Sequence, residues 1–271
     1  MTRILIIEGN TPEHLEQIAA KGQLSDSESY QASLLACQPA LEISFVQPYR
    51  KDYDLSKLSF EQVDGVVFTG ASVNWSVDAP EAAPLRQLMK AVFAKGIPTL
   101  GSCNGMQLGA VVLGGEVASS PNGRELGMAK HIRLTKAGAQ HPIHQGREDD
   151  YACSCVHRDE VSKLPPGAIL TAGNQHSPVQ AFVYEQEGIQ FWGMQYHPEL
   201  PPARIAELVA DEGLFNADPE LAFHLNAVAK DAHCESVQAL GIKPSDLVDH
   251  MRMRELINWL DMLHKKQTSH S

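Results

Sequence analysis

A cysteine flanked by glycines at two-residue spacing is the clearest chemical signal in the sequence. The segment Gly101-Ser-Cys103-Asn-Gly105 lies where an apolar run gives way to a helical pattern. A residue at the tip of a tight strand–turn–helix junction has a strained backbone, and its neighbours two positions away must be small. Its side chain lies at the positive end of the helix, which stabilises a thiolate. The segment predicts Cys103 as a nucleophile. The structural alternative is a buried cysteine in a glycine-rich strand end.

A histidine followed two residues later by a carboxylate supplies a candidate general base. The segment His197-Pro-Glu199 follows an apolar run from Ile189 to Gln195. Residues two apart in an extended segment project to the same side, so Glu199 can hold one ring nitrogen of His197 protonated. The other nitrogen then faces the thiol, as a cysteine nucleophile requires. The alternative is a strand-end histidine beside an unrelated glutamate.

Taken together, these two segments resemble the class I glutamine amidotransferase family, in which Cys, His and Glu form a triad. Three further segments follow the order of the branch that includes guanosine monophosphate synthetase: Ser120–Gly127, His157–Val161 and Asn174–Phe182. The resemblance covers roughly residues 3 to 200. A cysteine variant of the α/β-hydrolase elbow is a weaker match, because that fold usually takes its acid before its histidine.

The resemblance implies a reaction for the three residues. Cys103 would attack the γ-carboxamide of glutamine, and His197 would carry the thiol proton to departing ammonia. Glu199 would orient the imidazole, and water would release glutamate from a γ-glutamyl thioester. The backbone N–H groups of Ala71 and Asn104 would form the oxyanion hole. The resemblance implies neither a cofactor nor a metal.

The resemblance also implies a set of substrate-binding residues: Gly70, Gln107, His157, Arg158 and Asp159. For Gly70 the alternative is a tight turn, and for Gln107 a first-turn helix residue facing solvent. Arg158 stands where many family members have glycine. It would either crowd free glutamine, recognise an extra carboxylate on a longer γ-glutamyl substrate, or point outward.

A second departure concerns the oxyanion loop. Many family members carry Gly-Gly-Pro where this chain has Gly70-Ala71-Ser72. We expect this loop to flip less easily than theirs.

The elements that must position these residues follow from the hydrophobic pattern. Short apolar runs alternate with helical patterns in the first half of the chain, as in a parallel sheet with crossover helices. The pattern predicts strands at Ile4–Ile7, Ile43–Val46, Asp64–Gly70 and Gly96–Gly101, and helices from Thr11-Pro12, over 22–37, over Pro80–Lys95 and over Asn104–Leu113. Further strands, several of them antiparallel, are predicted at Met128–Leu134, Ala168–Thr171, Val179–Tyr184 and Ile189–Met194.

The expected fold is therefore α/β: an open, mostly parallel, flavodoxin-like sheet flanked by helices, with added antiparallel strands and a helical C-terminal extension. We expect residues 1–200 to form the amidotransferase-like domain and residues 201–271 to pack on it as helices. The extension carries no P-loop or ATP-pyrophosphatase pattern. It is either a set of extra helices on the sheet or a surface for a homodimer or a partner.

Composition excludes several other functions. The chain has 22 Lys and Arg against 33 Asp and Glu, a net charge of −11, which disfavours binding to nucleic acid or to an anionic membrane. No apolar run resembles a membrane span or a secretory signal. Five scattered cysteines predict reduced thiols and a cytoplasmic location. Cys153 and Cys155 are expected to be buried strand residues rather than metal ligands.

Three hypotheses for the function remain at this point. The first is a glutamine amidohydrolase that could supply ammonia to a separate synthetase subunit. The second is a free-standing hydrolase of γ-glutamyl amides or peptides. The third is a non-catalytic regulatory protein that keeps the fold.

Overall fold

A nine-stranded mixed sheet forms the centre of the molecule, in a computed structural model that describes residues 1–211 and 217–269. The strands run in the order β2-β1-β3-β4-β11-β10-β9-β6-β7, and β5 pairs with β8 in a separate ribbon. Their bounds are β1 Thr2–Ile7, β2 Leu41–Val46, β3 Gly65–Phe68, β4 Thr99–Ser102, β5 Glu116–Ser119, β6 Glu125–Leu134, β7 Tyr151–His157, β8 Asp159–Lys163, β9 Ile169–Gly173, β10 Ala181–Tyr184 and β11 Phe191–Met194.

The sheet has a parallel half and an antiparallel half. Strands β2, β1, β3, β4 and β11 are mutually parallel. From β11 onward each neighbouring pair is antiparallel, through β10, β9, β6 and β7. Functional groups in open parallel sheets collect at the carboxyl ends of the strands, and β1, β3, β4 and β11 all end at the same edge.

Helices cover both faces of the sheet, and their starts follow local sequence signals. Thr11 caps the first helix with Pro12 at its first position, and Ser25 forms a capping box with Glu28 at the start of the second. The helices are α1 Pro12–Ala20, α2 Asp26–Cys37, α3 Ala83–Ala94, α4 Asn104–Val112, α5 Pro202–Val209, α6 Pro219–Lys230, α7 Ser236–Leu240, α8 Asp249–Arg252 and α9 Arg254–Ser269. Short 3₁₀ turns occur at Leu55–Lys57, Pro80–Ala82, Gly138–Gln140, Pro142–His144 and Pro244–Leu247.

Three apolar clusters hold these layers together. One face of the sheet packs on α2 and α9, with Trp192 and Trp259 among its buried residues. The other face packs on α3 and α4 around Phe182 and Phe191. A third cluster joins α5, α6 and α7 to β6 and β7. The apolar residues of α9, spaced three and four residues apart, pack against the sheet with Leu256 and Leu260 buried.

The predicted fold class is confirmed, with differences at several boundaries. The second helix begins at Asp26 rather than near residue 22, because Ser25 provides its cap. The third strand ends at Phe68, so Thr69 and Gly70 belong to the following loop. Strands β5 and β8 were missing from the predicted pattern, because a short two-stranded ribbon has too few residues to show a clear alternation. No helix in the described ranges is long and apolar enough to cross a membrane.

Candidate active site

The predicted nucleophile lies on a strained turn between β4 and α4. Cys103 has φ 48° and ψ −107°, a backbone conformation that non-glycine residues rarely adopt. The two flanking glycines make this turn possible. A Cβ on Gly101 would lie 2.6 Å from the carbonyl carbon of Gly105, and a Cβ on Gly105 would lie 2.2 Å from the carbonyl oxygen of Phe68. The sequence signal and the local geometry therefore agree.

The thiol of Cys103 borders a cleft at the carboxyl edge of the parallel strands. It is only 7% exposed and donates a hydrogen bond to the carbonyl oxygen of Val156 at 3.6 Å. The positive end of α4 begins at the next residue, Asn104. Because Asn104 is the first helical residue, its N–H has no acceptor within the helix and is available to a developing oxyanion.

The predicted base and its orienting carboxylate are in hydrogen-bond contact. Nδ1 of His197 lies 2.7 Å from Oε1 of Glu199, and both side chains are buried. Among the described residues Nε2 of His197 has no hydrogen-bond partner of ordinary geometry. Burial alone would lower the pKa of His197, but the Glu199 carboxylate and the Cys103 thiol raise it well above its ordinary value. The pair can therefore hold a proton on the ring beside the sulfur.

Neighbouring elements fix the segment that carries His197 and Glu199. The backbone N–H of His197 donates to the carbonyl oxygen of Ser154 in β7 at 2.8 Å. The hydroxyl of Ser33 in α2 donates to the carbonyl oxygen of Glu199 at 2.9 Å, and Arg252 donates to the carbonyl oxygen of Pro198. The ring is thus positioned by a strand, by a helix and by the C-terminal extension.

The predicted oxyanion loop lies directly against the histidine ring. A Cβ on Gly70 would lie 2.7 Å from Cε1 of His197, so only glycine fits at this position. Ala71 and Asn104, the two residues whose N–H groups were predicted as donors, both line the cleft with Cys103.

Four of the five predicted substrate-binding residues line the cleft, namely Gln107, His157, Arg158 and Asp159, but most of their polar groups are already paired. The side-chain amide of Gln107 is buried and donates to the carbonyl oxygen of Asp159 at 2.6 Å and to Gln195 at 3.2 Å. It neither faces solvent nor offers a free donor. The guanidinium of Arg158 is 39% exposed and forms a bidentate pair with Asp159, with contacts of 3.0 and 2.7 Å.

His157 is also engaged on both ring nitrogens. Its Nδ1 donates to the carbonyl oxygen of Asp159 at 3.1 Å, and its Nε2 lies 2.9 Å from Oε2 of Glu125. Asn174 and Gln180 donate to the same carboxylate at 2.7 Å each. Burial would raise the pKa of Glu125, but these partners hold it below its usual value. This buried network shapes the wall of the cleft.

Glu125, Cys155 and His157 are close enough together to be considered as metal ligands. Their polar atoms lie within 4.8 Å of one another. However, the donors of Gln180 and Asn174 point at the Glu125 carboxylate, and such donors disfavour a cation at the same place. As expected from the sequence, Cys153 and Cys155 are buried residues of β7.

The cleft is also lined by residues that were not predicted as site residues from the sequence. They are His14 and Ile18, one helical turn apart on α1, Arg204 and Leu208, one turn apart on α5, and Trp75. Lys21 forms an ion pair with Asp211, which joins the ends of the two helices. Spacing of four residues on each helix was the available signal, but it does not distinguish a cleft wall from a core face.

The chain belongs to the class I glutamine amidotransferases, because the family model "Glutamine amidotransferase class-I" matches residues 24–214. It is an amidotransferase-like hydrolase, and a cysteine nucleophile is typical of this family. It is similar to a γ-glutamyl-L-1-hydroxyisopropylamide hydrolase from a Pseudomonas species, with 31% identity over 96% of this chain and 92% of that protein.

The synthetase relatives are similar over a shorter region. A GMP synthase from Caldicellulosiruptor saccharolyticus is 33% identical over 63% of this chain but only 31% of its own length. Among solved structures, a glutamine amidotransferase from Thermotoga maritima matches with a TM-score of 0.57, 20% identity and coverage of 98% of this chain and 97% of that one. One from Methylobacillus flagellatus matches with a TM-score of 0.58 and 19% identity over 99% of this chain and 94% of that one. At these identities the structures show the fold alone.

Proposed function

We propose that this protein is a free-standing hydrolase of γ-glutamyl amides that acts through a Cys103–His197–Glu199 triad. The observation that carries the proposal is the buried His197–Glu199 contact of 2.7 Å, with the second ring nitrogen facing the side of Cys103. A histidine with one nitrogen tethered and one free is what a thiol nucleophile needs as its base.

The reaction follows from this arrangement. The sulfur of Cys103 attacks the γ-carbonyl carbon while its proton passes to Nε2 of His197. The carbonyl oxygen becomes an oxyanion that accepts hydrogen bonds from the N–H groups of Ala71 and Asn104. The C–N bond then breaks as His197 returns the proton to the leaving amine, which leaves a γ-glutamyl thioester.

Water completes the cycle. His197 removes a proton from a water molecule, whose oxygen attacks the thioester carbonyl and expels the Cys103 thiolate, which is reprotonated from the histidine. The products are glutamate and the free amine. Throughout the cycle Glu199 keeps Nδ1 protonated, so that Nε2 is always the nitrogen that exchanges protons.

The shape of the cleft favours an amine larger than ammonia as the leaving group. Because His197 must protonate the leaving nitrogen, the amine lies on the histidine's side of the sulfur. Leu200, Arg204 and Leu208, which follow His197 along the chain at four-residue spacing, also line the cleft. The similarity to the γ-glutamyl-L-1-hydroxyisopropylamide hydrolase, which extends over nearly the whole of both chains, supports the same assignment.

A second candidate is a glutamine amidohydrolase that delivers ammonia to a separate synthetase subunit. The similarity to GMP synthases favours it, since those proteins are glutamine-hydrolysing and two of them match this chain over 63% and 57% of its length. In that case free glutamine would be the preferred substrate, and a synthetase partner would raise the rate.

A substrate panel separates the two candidates. Purified wild-type protein and a Cys103→Ala control are assayed for glutamate release from glutamine, γ-glutamyl dipeptides and γ-glutamyl alkylamides, including the hydroxyisopropylamide. We expect kcat/KM for an alkylamide to exceed that for glutamine by about tenfold or more, which is the discrimination that one or two buried methylene groups provide. Preference for glutamine would contradict the proposal and support the amidotransferase candidate.

A pair of variants tests the leaving-group wall itself. Leu208→Ala should lower kcat/KM for the alkylamide about tenfold while changing kcat/KM for glutamine much less. Glu16→Ala, an exposed substitution on α1, serves as the control and should change neither value. Equal losses of kcat/KM on both substrates would contradict the placement of the leaving amine beside Leu208.

A further inference from the structure

The two peptide planes on either side of Ala71 are each fixed by a hydrogen bond. The hydroxyl of Thr69 donates to the carbonyl oxygen of Gly70 at 2.8 Å and accepts from the N–H of Gly9 at 2.9 Å. The Gly70 carbonyl and the Ala71 N–H belong to one planar trans peptide, so they point in opposite directions. Fixing the carbonyl toward β1 therefore also fixes the direction of the Ala71 N–H.

The peptide group between Ala71 and Ser72 is held by a hydrogen bond from its N–H. The backbone N–H of Ser72 donates to Oδ1 of Asn10 at 2.7 Å. A proline at position 72, as in the Gly-Gly-Pro of many family members, could not make this bond because it has no N–H. The serine in this chain therefore provides an anchor that those loops lack.

The side chain of Asn10 is itself held in one orientation. Its amide nitrogen donates to Oε1 of Glu8 at 2.9 Å and to Oδ2 of Asp26 at 2.7 Å. With both amide hydrogens on carboxylates, the oxygen must face the Ser72 N–H. Asn10 is 1% exposed, and a Cβ on Gly9 would lie 2.6 Å from the carbonyl oxygen of Gly70. The loop and the end of β1 thus form one packed unit.

We propose that Thr69 and Asn10 are positioning residues that set the Ala71 N–H as an oxyanion donor in the isolated chain, so that hydrolysis requires no activating partner subunit. The inference rests on the proposed function, because it assumes that Ala71 serves the oxyanion of γ-glutamyl amide hydrolysis. Rotation of the Gly70–Ala71 peptide would break the Thr69 bond, which is buried, and strain the Asn10 bond, which is partly buried. The Thr69 bond is costly to lose because the buried groups that it leaves behind have no water to replace it.

The test uses three variants and one matched control, all in the full chain without any partner. Asn10→Ala removes the acceptor, Thr69→Val removes the hydroxyl at nearly constant shape, and Ser72→Pro removes the N–H while also fixing φ of residue 72. Ser72→Ala keeps the N–H and is the control. The substrate is the γ-glutamyl amide on which wild-type protein is most active.

We expect kcat to fall about 10- to 100-fold in each of the three variants, somewhat less than the loss of a whole oxyanion donor, with KM changed about threefold at most. Ser72→Ala should stay within about twofold of wild type, as expected for a substitution that leaves the bond intact. A second measurement is the alkylation of Cys103 by iodoacetamide, followed by mass spectrometry. In that reaction the thiolate displaces iodide and forms an S–C bond without an oxyanion, so its rate should not change.

The outcomes separate this inference from the proposed function. Wild-type protein that hydrolyses no γ-glutamyl amide would overturn the proposed function, and this inference with it. Active wild-type protein with unchanged kcat in the three variants would overturn the inference alone. An alkylation rate that falls in step with kcat would also overturn it, because the loop would then act on Cys103 rather than on the oxyanion. If Asn10→Ala does not fold, Thr69→Val and Ser72→Pro decide the question.

Discussion

Two buried histidine–carboxylate pairs border the same cleft, and they differ in what the second ring nitrogen contacts. In the His197–Glu199 pair, Nδ1 is bonded to the carboxylate while Nε2 has no ordinary hydrogen-bond partner among the described residues. In the His157–Glu125 pair, both nitrogens are bonded, one to the carboxylate and the other to a carbonyl oxygen. A nitrogen that is already bonded cannot exchange protons with a nucleophile. The contrast predicts that a tethered histidine can serve as a base only where its other nitrogen is left free.

The largest effect is expected from changing the carboxylate of the first pair. Glu199→Gln should lower kcat about 10⁴-fold, because a side-chain amide can donate to Nδ1 and so favour the wrong tautomer of His197. Steady-state turnover of a γ-glutamyl amide measures the effect. Glu125→Gln, the same change in the second pair, is the control and should cost far less in kcat. Equal losses would remove the distinction between the two pairs.

The His157–Glu125 pair is expected to contribute more to the stability of the fold than to catalysis. His157→Gln leaves the buried Glu125 carboxylate without its imidazole partner, and we expect the free energy of unfolding at pH 7 to fall by about 3 kcal/mol. The pKa of Glu125 is held below its ordinary value in the folded chain, so the pair stabilises the fold above the unfolded pKa. This contribution is lost as the pH falls through the folded pKa. Urea unfolding at pH 7 and pH 4 should therefore show a smaller difference between wild type and variant at pH 4.

Glu8 sharpens the comparison, because it is a buried carboxylate held by amide groups instead of a histidine. Burial, and secondly the charge of Asp26, raise its pKa from 4.5 to about 7. The folded chain then binds a proton more tightly than the unfolded chain between these two values. Stability is therefore expected to decrease as the pH rises from about 4.5 to about 7, by about 3 kcal/mol from this group.

Urea unfolding of wild type and Glu8→Gln at pH 5 and pH 8 measures this contribution. The wild type should lose more stability between the two pH values than the variant does. If the free energy of unfolding changes equally between pH 5 and pH 8 in wild type and variant, Glu8 is not the group that titrates.

The smallest effect is expected at the rim of the second pair. Arg158 is partly exposed and pairs with Asp159, so Arg158→Gly should change the free energy of unfolding by less than about 1 kcal/mol. Its effect on substrates is more informative. If the guanidinium crowds free glutamine, the variant should lower KM for glutamine, whereas an unchanged KM would mean that the side chain points away from the substrate.

The parts of the site that sequence alone could predict are those set by local spacing. The glycines around Cys103 and the two-residue spacing of His197 and Glu199 are local features, and the structure places the corresponding side chains together. The fold class was predictable for the same reason, since alternating apolar runs and helices define the parallel half of the sheet. The catalytic roles themselves remain predictions that the variants above must test.

Other features depend on contacts between distant segments and could not be predicted. Asn10 meets Ser72 only because β1 and β3 are neighbours in the sheet, and Asp26 joins them from the start of α2. Gln107 is a second example. Its position on the first turn of α4 was clear from the sequence, but its bond to the backbone of Asp159 depends on where β8 lies. Hydrophobic periodicity describes one segment at a time and contains no information on contacts between distant segments.

The absence of a side chain on Gly105 has a consequence for any attempt to transplant this chemistry. With only 2.2 Å available between the place of a Cβ and the carbonyl oxygen of Phe68, α4 lies almost on the backbone of β3. The sulfur and the loop that would receive the oxyanion are therefore parts of one rigid piece. A designer who grafts the cysteine turn onto another scaffold must also bring the end of the neighbouring strand, or the two halves of the site will lose their register.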